Sequence, residues 1–178
     1  YIDGKSLRQY VHDETDTRGY LSVHEICRIG IELCCILEYL HGYNGNGILH
    51  MDIKPDNIML DKDGKVKLID YDNAVEGNAG LTVESGSPLY AAPEQYNREK
   101  AVIQSDIYSL GMVILFMVSH GHIVTDENHK LSEISSRYSS LYHVINKSLH
   151  HEWGLRYSSV TYLKQELQSI MNWGGGTD

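Results

Sequence analysis

The chain has little basic charge and few cysteines, and these shortages exclude several classes of protein. It carries 15 Lys and Arg against 24 Asp and Glu, a formal net charge of −9, and its basic residues form no cluster. A nucleic-acid partner is not expected, because such a partner requires a basic face. The three cysteines, Cys27, Cys34 and Cys35, are an odd number within one helical pattern. They predict packed, reduced thiols and a cytoplasmic location, and not a disulfide framework.

Long hydrophobic segments are also missing. The most apolar run covers residues 110–118 and is too short to cross a bilayer as a helix, so no membrane segment is expected within the chain. The first residues, Tyr1 to Gly4, lack both a starting methionine and the basic stretch of a signal peptide. We therefore expect the chain to begin within a longer protein. Its 178 residues suffice for one domain with a hydrophobic core.

Hydrophobic periodicity predicts a mainly α fold with one small β-hairpin. The predicted helices cover approximately residues 22–41, 105–119, 131–149 and 158–172. Ser22 and Glu25 form a capping-box pattern at the start of the first, and Ser105 is the predicted cap of the second. The predicted strands cover residues 58–60 and 66–69, joined by a turn at 61–64. Residues 70–94 show no periodicity, which in a compact domain is typical of a functional loop or of a disordered segment.

The stretch L-H-M-D-I-K-P-D-N, residues 49–57, carries the clearest chemical signal. Asp52 is followed by Lys54 two positions on and by Asn57 five positions on. A carboxylate, an ammonium and an amide at this spacing are a known arrangement for phosphoryl transfer.

Five ordered motifs resemble the C-terminal lobe of a protein kinase, most closely that of the bacterial Hanks-type serine/threonine kinases. They are H-M-D-I-K-P-D-N (50–57), D-Y-D (70–72), A-P-E (92–94), S-D-I-Y-S-L-G (105–111) and R-Y-S-S (156–159). The opening Y-I-D-G-K-S-L is similar to the hinge segment and first helix of bacterial kinases. The resemblance implies a kinase large lobe over residues 1–173 and an N-terminal lobe that this chain does not contain. The Gly-rich end, residues 174–178, indicates a flexible tail or linker.

The resemblance assigns the chemistry to four residues. Asp52 is expected to be the catalytic base that accepts the proton of a substrate hydroxyl. Lys54 is expected to stabilise charge on the transferred phosphoryl group. Asn57 and Asp70 are expected to bind Mg²⁺ that bridges the phosphates of ATP.

ATP is expected to contact further residues by the same resemblance. Ile2 would offer hinge backbone groups to adenine, and Ser6 would approach the ribose. Lys54 and Asp70 would face the phosphates. Met59 would form the apolar floor under adenine, although periodicity alone equally allows an ordinary core methionine.

Other residues are expected to support the site. Ser87 lies where serine/threonine kinases carry a hydroxyl that bonds the base and the lysine, which favours protein substrates with Ser or Thr acceptors. Glu94 is expected to pair with Arg156. Asp106, on the buried helix, is expected to hold the backbone of the catalytic loop, because a buried carboxylate must find N–H donors.

Two residues depart from the family pattern. Met51 replaces the arginine that binds a phosphate on the activation loop, so phosphates on Thr82, Ser85 or Ser87 are not expected to be required for activity. Asp72 replaces a glycine at a position where positive φ is expected. His50 and Tyr71 are expected to pack and not to take part in the chemistry.

The expected function is an Mg²⁺- and ATP-dependent serine/threonine protein kinase, inactive as the isolated lobe. A pseudokinase that acts as a binding module is the main alternative, supported by Met51 and Asp72. A small-molecule phosphotransferase with a kinase-like fold ranks last, because such proteins usually lack both Lys54 and the A-P-E segment.

Overall fold

The computed structural model describes residues 2–77, 87–97, 100–122 and 136–173. The helices are α1 (Leu7–Arg18), α2 (Val23–His41), α3 (Pro93–Tyr96), α4 (Ile103–Val118), α5 (Tyr142–Ser148) and α6 (Val160–Trp173). The strands are β1 (Gly4–Ser6), β2 (Ile48–Leu49), β3 (Ile58–Asp61), β4 (Val66–Leu68) and β5 (Val75–Glu76). Short 3-10 turns cover residues 43–45, 55–57, 136–141 and 153–155. The mainly α fold class is confirmed, whereas the predicted tail and the first part of the predicted helix 131–149 lie outside the described residues.

Helix α2 begins where the capping-box pattern predicts. The Ser22 hydroxyl accepts a hydrogen bond from the Glu25 amide, and the Glu25 carboxylate accepts one from the Ser22 amide. Helix α2 packs against α6 and α4. A Cβ on Gly30 would lie 2.9 Å from a Leu167 methyl carbon, so glycine at this position permits the close approach of α2 and α6.

Helix α4 is the most deeply buried element, with every residue from Ser109 to Val118 inside the core. It begins at Ile103, after Val102, so the prediction of Ser105 as its cap is wrong. Ser105 lies within the first turn, and its hydroxyl donates to the Glu94 carboxylate at 2.7 Å. The partner across the fold, and not the start of the helix, determines where this serine side chain binds.

A three-stranded antiparallel sheet holds the predicted hairpin. β3 and β4 form the hairpin, and β1 pairs with the outer side of β3 so that Ser6 lies opposite Met59. The hairpin patterns gave no indication of this third strand. Ser6 then caps α1, in a second capping box with Gln9. The two elements place the beginning of the chain beside the catalytic loop.

Residues 70–94 contain more regular structure than their lack of periodicity predicts. β5 pairs with β2, with Val75 opposite Leu49, and α3 begins at Pro93. Strands of two residues are too short to show an alternating pattern. Their pairing nevertheless attaches the segment that follows Asp70 to the segment that precedes Asp52.

The prediction of three packed thiols is wrong for one cysteine. Cys27 and Cys34 are buried, but Cys35 is exposed. Adjacent helical residues point in directions about 100° apart, so Cys34 and Cys35 cannot face the same core. Among the described residues, no helix is both long and apolar enough to cross a membrane.

Candidate active site

The catalytic loop, residues 49–57, is anchored from below by Asp106. This carboxylate is fully buried and accepts hydrogen bonds from the amides of His50 and Met51, each at 2.9 Å. The ring of His41 approaches the same carboxylate at 2.9 Å. Burial alone would raise the pKa of Asp106, but the hydrogen bonds from His41 and the two amides outweigh it and lower the pKa. The predicted support of the loop backbone is present, and His41 is a partner that the sequence did not reveal.

Two residues of the site have left-handed backbone conformations. Met51 and Asp70 both have φ of 64°, a region that non-glycine residues rarely occupy. The amide bond from Met51 to Asp106 holds the first of these turns. Asp72 does not take positive φ, so the positive φ expected at this position is not found in this conformation.

A network of hydrogen bonds surrounds the Asp52 carboxylate. Asp52 is buried, with 5% of its surface exposed. Ser87 donates to its Oδ1 from both the hydroxyl, at 2.9 Å, and the amide, at 3.0 Å. Lys54 Nζ donates to Oδ2 at 2.7 Å and to the Ser87 hydroxyl at 2.7 Å. Asn57 Nδ2 donates to the Asp52 carbonyl at 2.9 Å and to Oδ2 at 3.1 Å. The structure therefore brings these four predicted residues together.

This network keeps Asp52 ionised. Burial alone would raise the pKa of Asp52, but the hydrogen bonds from Lys54 and Ser87 outweigh it and lower the pKa. A carboxylate that is ionised at neutral pH can accept a hydrogen bond from a hydroxyl group and align it.

Hydrogen bonds of the adjacent residue Ile69 place Asp70 next to the catalytic loop. The Ile69 amide donates to the Asn57 carbonyl at 2.9 Å, and the His50 ring approaches the Ile69 carbonyl at 3.3 Å. The His50 and Tyr71 rings pack with centroids 4.9 Å apart. Because the Asn57 amide nitrogen faces Asp52, its oxygen is the end of the side chain that remains for a cation. An amide oxygen and a carboxylate are donors that suit Mg²⁺.

Two of the residues predicted to contact ATP, Ser6 and Met59, lie side by side. Ser6 and Met59 are cross-strand neighbours, with Met59 on the half-buried side of β3. The Ser6 hydroxyl also caps α1 by accepting from the Gln9 amide at 3.2 Å. Ile2 is half-buried and precedes β1.

Met51, where the family has an arginine, lies in a small apolar cluster that we call the latch. Met51 is 1% exposed and packs with Leu49 and Ala101, and with the half-buried Val75 and Ile103. The latch joins the catalytic loop to β5 and to the start of α4 through apolar contact.

A buried ion pair holds the A-P-E segment. Arg156 donates to both oxygens of Glu94, at 2.7 and 2.8 Å, as predicted. Burial alone would raise the pKa of Glu94, but the hydrogen bonds from Arg156 and Ser105 lower it. Gln95, which the sequence gave no reason to select, donates to the Met51 carbonyl at 3.0 Å. Glu94 and Gln95 together connect this segment to α4 and to the catalytic loop.

Comparison with known proteins identifies the family. The model of the protein kinase domain matches residues 1–173. Serine/threonine-protein kinase D of Synechocystis is 32% identical over 98% of this chain and 35% of its own length. Sperm motility kinase 3A of the mouse is 37% identical over 65% of the chain and 22% of its own length. The probable serine/threonine-protein kinase PknB of Lactococcus lactis is 33% identical over 71% of the chain and 20% of its own length.

The chain thus spans between about a fifth and a third of the length of these curated relatives. The matched region includes the catalytic loop, the segment around Asp70 and the A-P-E segment. The chain belongs to the protein kinase domain family, and its bacterial serine/threonine kinase relatives agree with the Hanks-type resemblance of its motifs.

Proposed function

We propose that this chain is the large lobe of an active serine/threonine protein kinase that transfers the γ-phosphoryl group of ATP to a protein hydroxyl. The observation that carries the proposal is the complete hydrogen-bonded cluster of Asp52, Lys54, Asn57 and Ser87. A decayed site would have no need to keep a carboxylate, an ammonium and a hydroxyl aligned within 3 Å of one another.

The positions of these residues support the following proposed roles. Asp52 aligns the acceptor hydroxyl and takes its proton as the oxygen attacks phosphorus. Lys54, held between Asp52 and Ser87, stabilises negative charge on the transferred group. Ser87 keeps the carboxylate and the ammonium in register, and its place beside the base supports Ser or Thr acceptors.

Asn57 and Asp70 would hold Mg²⁺, which when bound neutralises charge on the phosphates of ATP. The oxygen donors of the two side chains support this assignment, and the hydrogen bond from the Ile69 amide to the Asn57 carbonyl joins the two segments that carry them. Calorimetry with Mg²⁺ and a nucleotide on Asp70→Asn would detect the loss of binding independently of turnover.

The nucleotide would lie over the hinge side of the sheet. Met59 and Ser6 would approach the adenine and ribose, with Ile2 offering backbone groups, and an N-terminal lobe from the longer protein would complete the phosphate site. Residues 1–173 would then form the large lobe, followed by a tail at 174–178. We infer that this lobe works in the cytoplasm, where ATP is available and its thiols remain reduced.

The decisive experiment compares the complete protein with its Asp52→Asn variant. Transfer of labelled γ-phosphate from Mg-ATP to a generic Ser/Thr protein acceptor should fall by roughly 10²–10⁴-fold, the usual contribution of a general base. Asp16→Asn, on the exposed side of α1, is the matched control and should keep the wild-type rate.

The pseudokinase alternative predicts another result. Nucleotide would bind to the folded wild-type protein, but the rate of transfer would not exceed that of Asp52→Asn. That outcome would replace the proposed enzyme with a binding module.

A further inference from the structure

A cavity of about 790 Å³ opens beside the polar cluster. Lys54 and Ser87 are among its lining residues, and both bond to Asp52. An acceptor whose hydroxyl reaches Asp52 must therefore place flanking residues in this cavity. Its described walls include Pro88, Leu89 and Tyr90, together with Arg8 and Asp56.

Asp56 is the only carboxylate among the described residues that line the cavity, and it is already paired. Arg8 donates to it with both ends of its fork, from Nε to Oδ1 at 2.8 Å and from Nη2 to Oδ2 at 2.7 Å. The Arg8 guanidinium also lies over the Phe116 ring, 5.2 Å from its centroid. Contacts at both carboxylate oxygens and at the ring fix Arg8 in one orientation.

The pair is accessible to a substrate. The Arg8 side chain is 38% exposed and that of Asp56 is 48% exposed. The hydrogen bond between Arg8 and Asp56 lowers the pKa of Asp56 and raises the pKa of Arg8. Both groups are therefore charged at neutral pH. An incoming arginine would have to displace one that is tethered in the same chain and already aligned.

The rest of the wall favours other side chains. Leu89 is 42% exposed, and with Pro88 it gives the cavity an apolar surface next to Ser87. Lys54 adds a second cation, which is occupied by Asp52. The described lining thus offers apolar contact and no uncompensated negative charge.

We propose that Arg8 is a specificity-determining residue that occupies Asp56 and so directs this protein to acceptor segments without basic residues beside the Ser or Thr. This proposal rests on the proposed kinase function and names the class of segment the site accepts: neutral or apolar around the acceptor. Asp56 is the residue through which Arg8 acts.

The test uses the complete protein and peptides that differ at one position, scanned over four places on each side of a serine. The variable residue is Arg, Glu or Ala, and kcat/KM is measured for each peptide. Arg8→Met keeps an apolar stem against Phe116 while it removes the guanidinium. Asp56→Asn is the complementary variant, which frees Arg8 without removing it. Arg18→Ala is the control, because Arg18 is an exposed arginine that pairs with Glu14 at the far end of α1.

In the wild type the Arg peptides should be no better than the Ala peptides at any position. In Arg8→Met the ratio of Arg to Ala should rise by roughly two- to fivefold at one or two positions, the size that a partly exposed ion pair supports. In Asp56→Asn the ratio of Glu to Ala should rise by a similar factor at the same positions. The ratios in Arg18→Ala should equal those of the wild type.

Two results would overturn the proposal, and they are distinguishable. If peptides are phosphorylated but neither Arg8→Met nor Asp56→Asn changes the ratios, the specificity role is wrong and the kinase function stands. If neither the wild type nor any variant phosphorylates any peptide or protein, the kinase function fails and the specificity role fails with it. Because the readout is a ratio between peptides, a general loss of stability in one variant does not imitate the expected result.

Discussion

The two sides of the catalytic loop are stabilised by opposite chemistry. On one side, Asp52, Lys54 and Ser87 form a network of charge-assisted hydrogen bonds. On the other, Met51 lies in the apolar latch with Leu49 and Val75. The backbone between the two sides turns through the left-handed conformation of Met51, one residue before Asp52.

The difference separates the residues that are proposed to take part in the reaction from the residues that hold the loop in position. The polar side matches the kinase pattern residue by residue, as expected if Asp52 and Lys54 meet the reacting atoms in the proposed reaction. The apolar side departs from the pattern, because holding a loop requires only contact with the segment that follows Asp70. Apolar contact needs no modification to form, whereas an arginine at this position would require an added phosphate as its partner.

The largest effect is expected on the polar side, from Lys54→Met. Removing the ammonium should lower kcat by roughly 10²–10³-fold, as for other groups that stabilise charge in a transition state. The pKa of Asp52 should rise, because a hydrogen bond that lowers it is lost. The acid limb of the rate profile should therefore move to higher pH, since transfer needs the ionised carboxylate.

Lys5→Met is the control for this variant, because Lys5 is an exposed lysine paired with Asp13. Its rate and pH profile should match those of the wild type. A Lys54→Met protein with wild-type kcat would remove Lys54 from the chemistry.

A smaller effect, on stability, is expected from Met51→Ala on the apolar side. The lost contacts should lower the free energy of unfolding by about 2 kcal/mol, the low end for a buried methionine, because the latch is small. Met51→Gly should be at least as stable as Met51→Ala, since φ of 64° costs glycine nothing. Urea denaturation measures both.

The matched control is Met171→Ala on α6, a half-buried methionine that packs on the main core, where a smaller loss is expected. If Met51→Gly were clearly less stable than Met51→Ala, the left-handed backbone at Met51 would not be lowering the stability of the protein.

The smallest effect is expected when the hydroxyl groups that could accept a phosphate on the activation loop are removed. Thr82 and Ser85 lie outside the described residues, and the small effect is expected from the apolar surroundings of Met51 alone. Replacing both with alanine should change kcat by less than about twofold, the usual range for surface substitutions. A collapse of activity that returns with Glu at either position would show that the latch does not replace a phosphate.

The sequence predicts the periodic elements and the polar cluster, but not how distant segments meet. Helix α2 and the hairpin have local signals, namely a capping box and a turn between two apolar runs. Helix α1 has few, because only Leu7 and Val11 along it are buried. Its own capping box at Ser6 and Gln9 was a signal that local reading could have used.

The pairings that the sequence could not predict all join remote positions. Arg8 and Asp56 are 48 residues apart, and the partner of Ser105 lies on another element. Nothing in the composition around Arg8 distinguishes it from a solvated arginine. Such pairs depend on how α1 packs against the catalytic loop, which only the tertiary structure determines.

The two amide bonds to Asp106 have a consequence for cooperativity. They attach the catalytic loop to α4, the element most deeply enclosed in the core, so the loop cannot melt by itself while α4 is in place. Hydrogen exchange at the amides of His50 and Met51 should then require an opening as large as that of the helix. The loop that carries the proposed catalytic residues should therefore stay folded for as long as the core does.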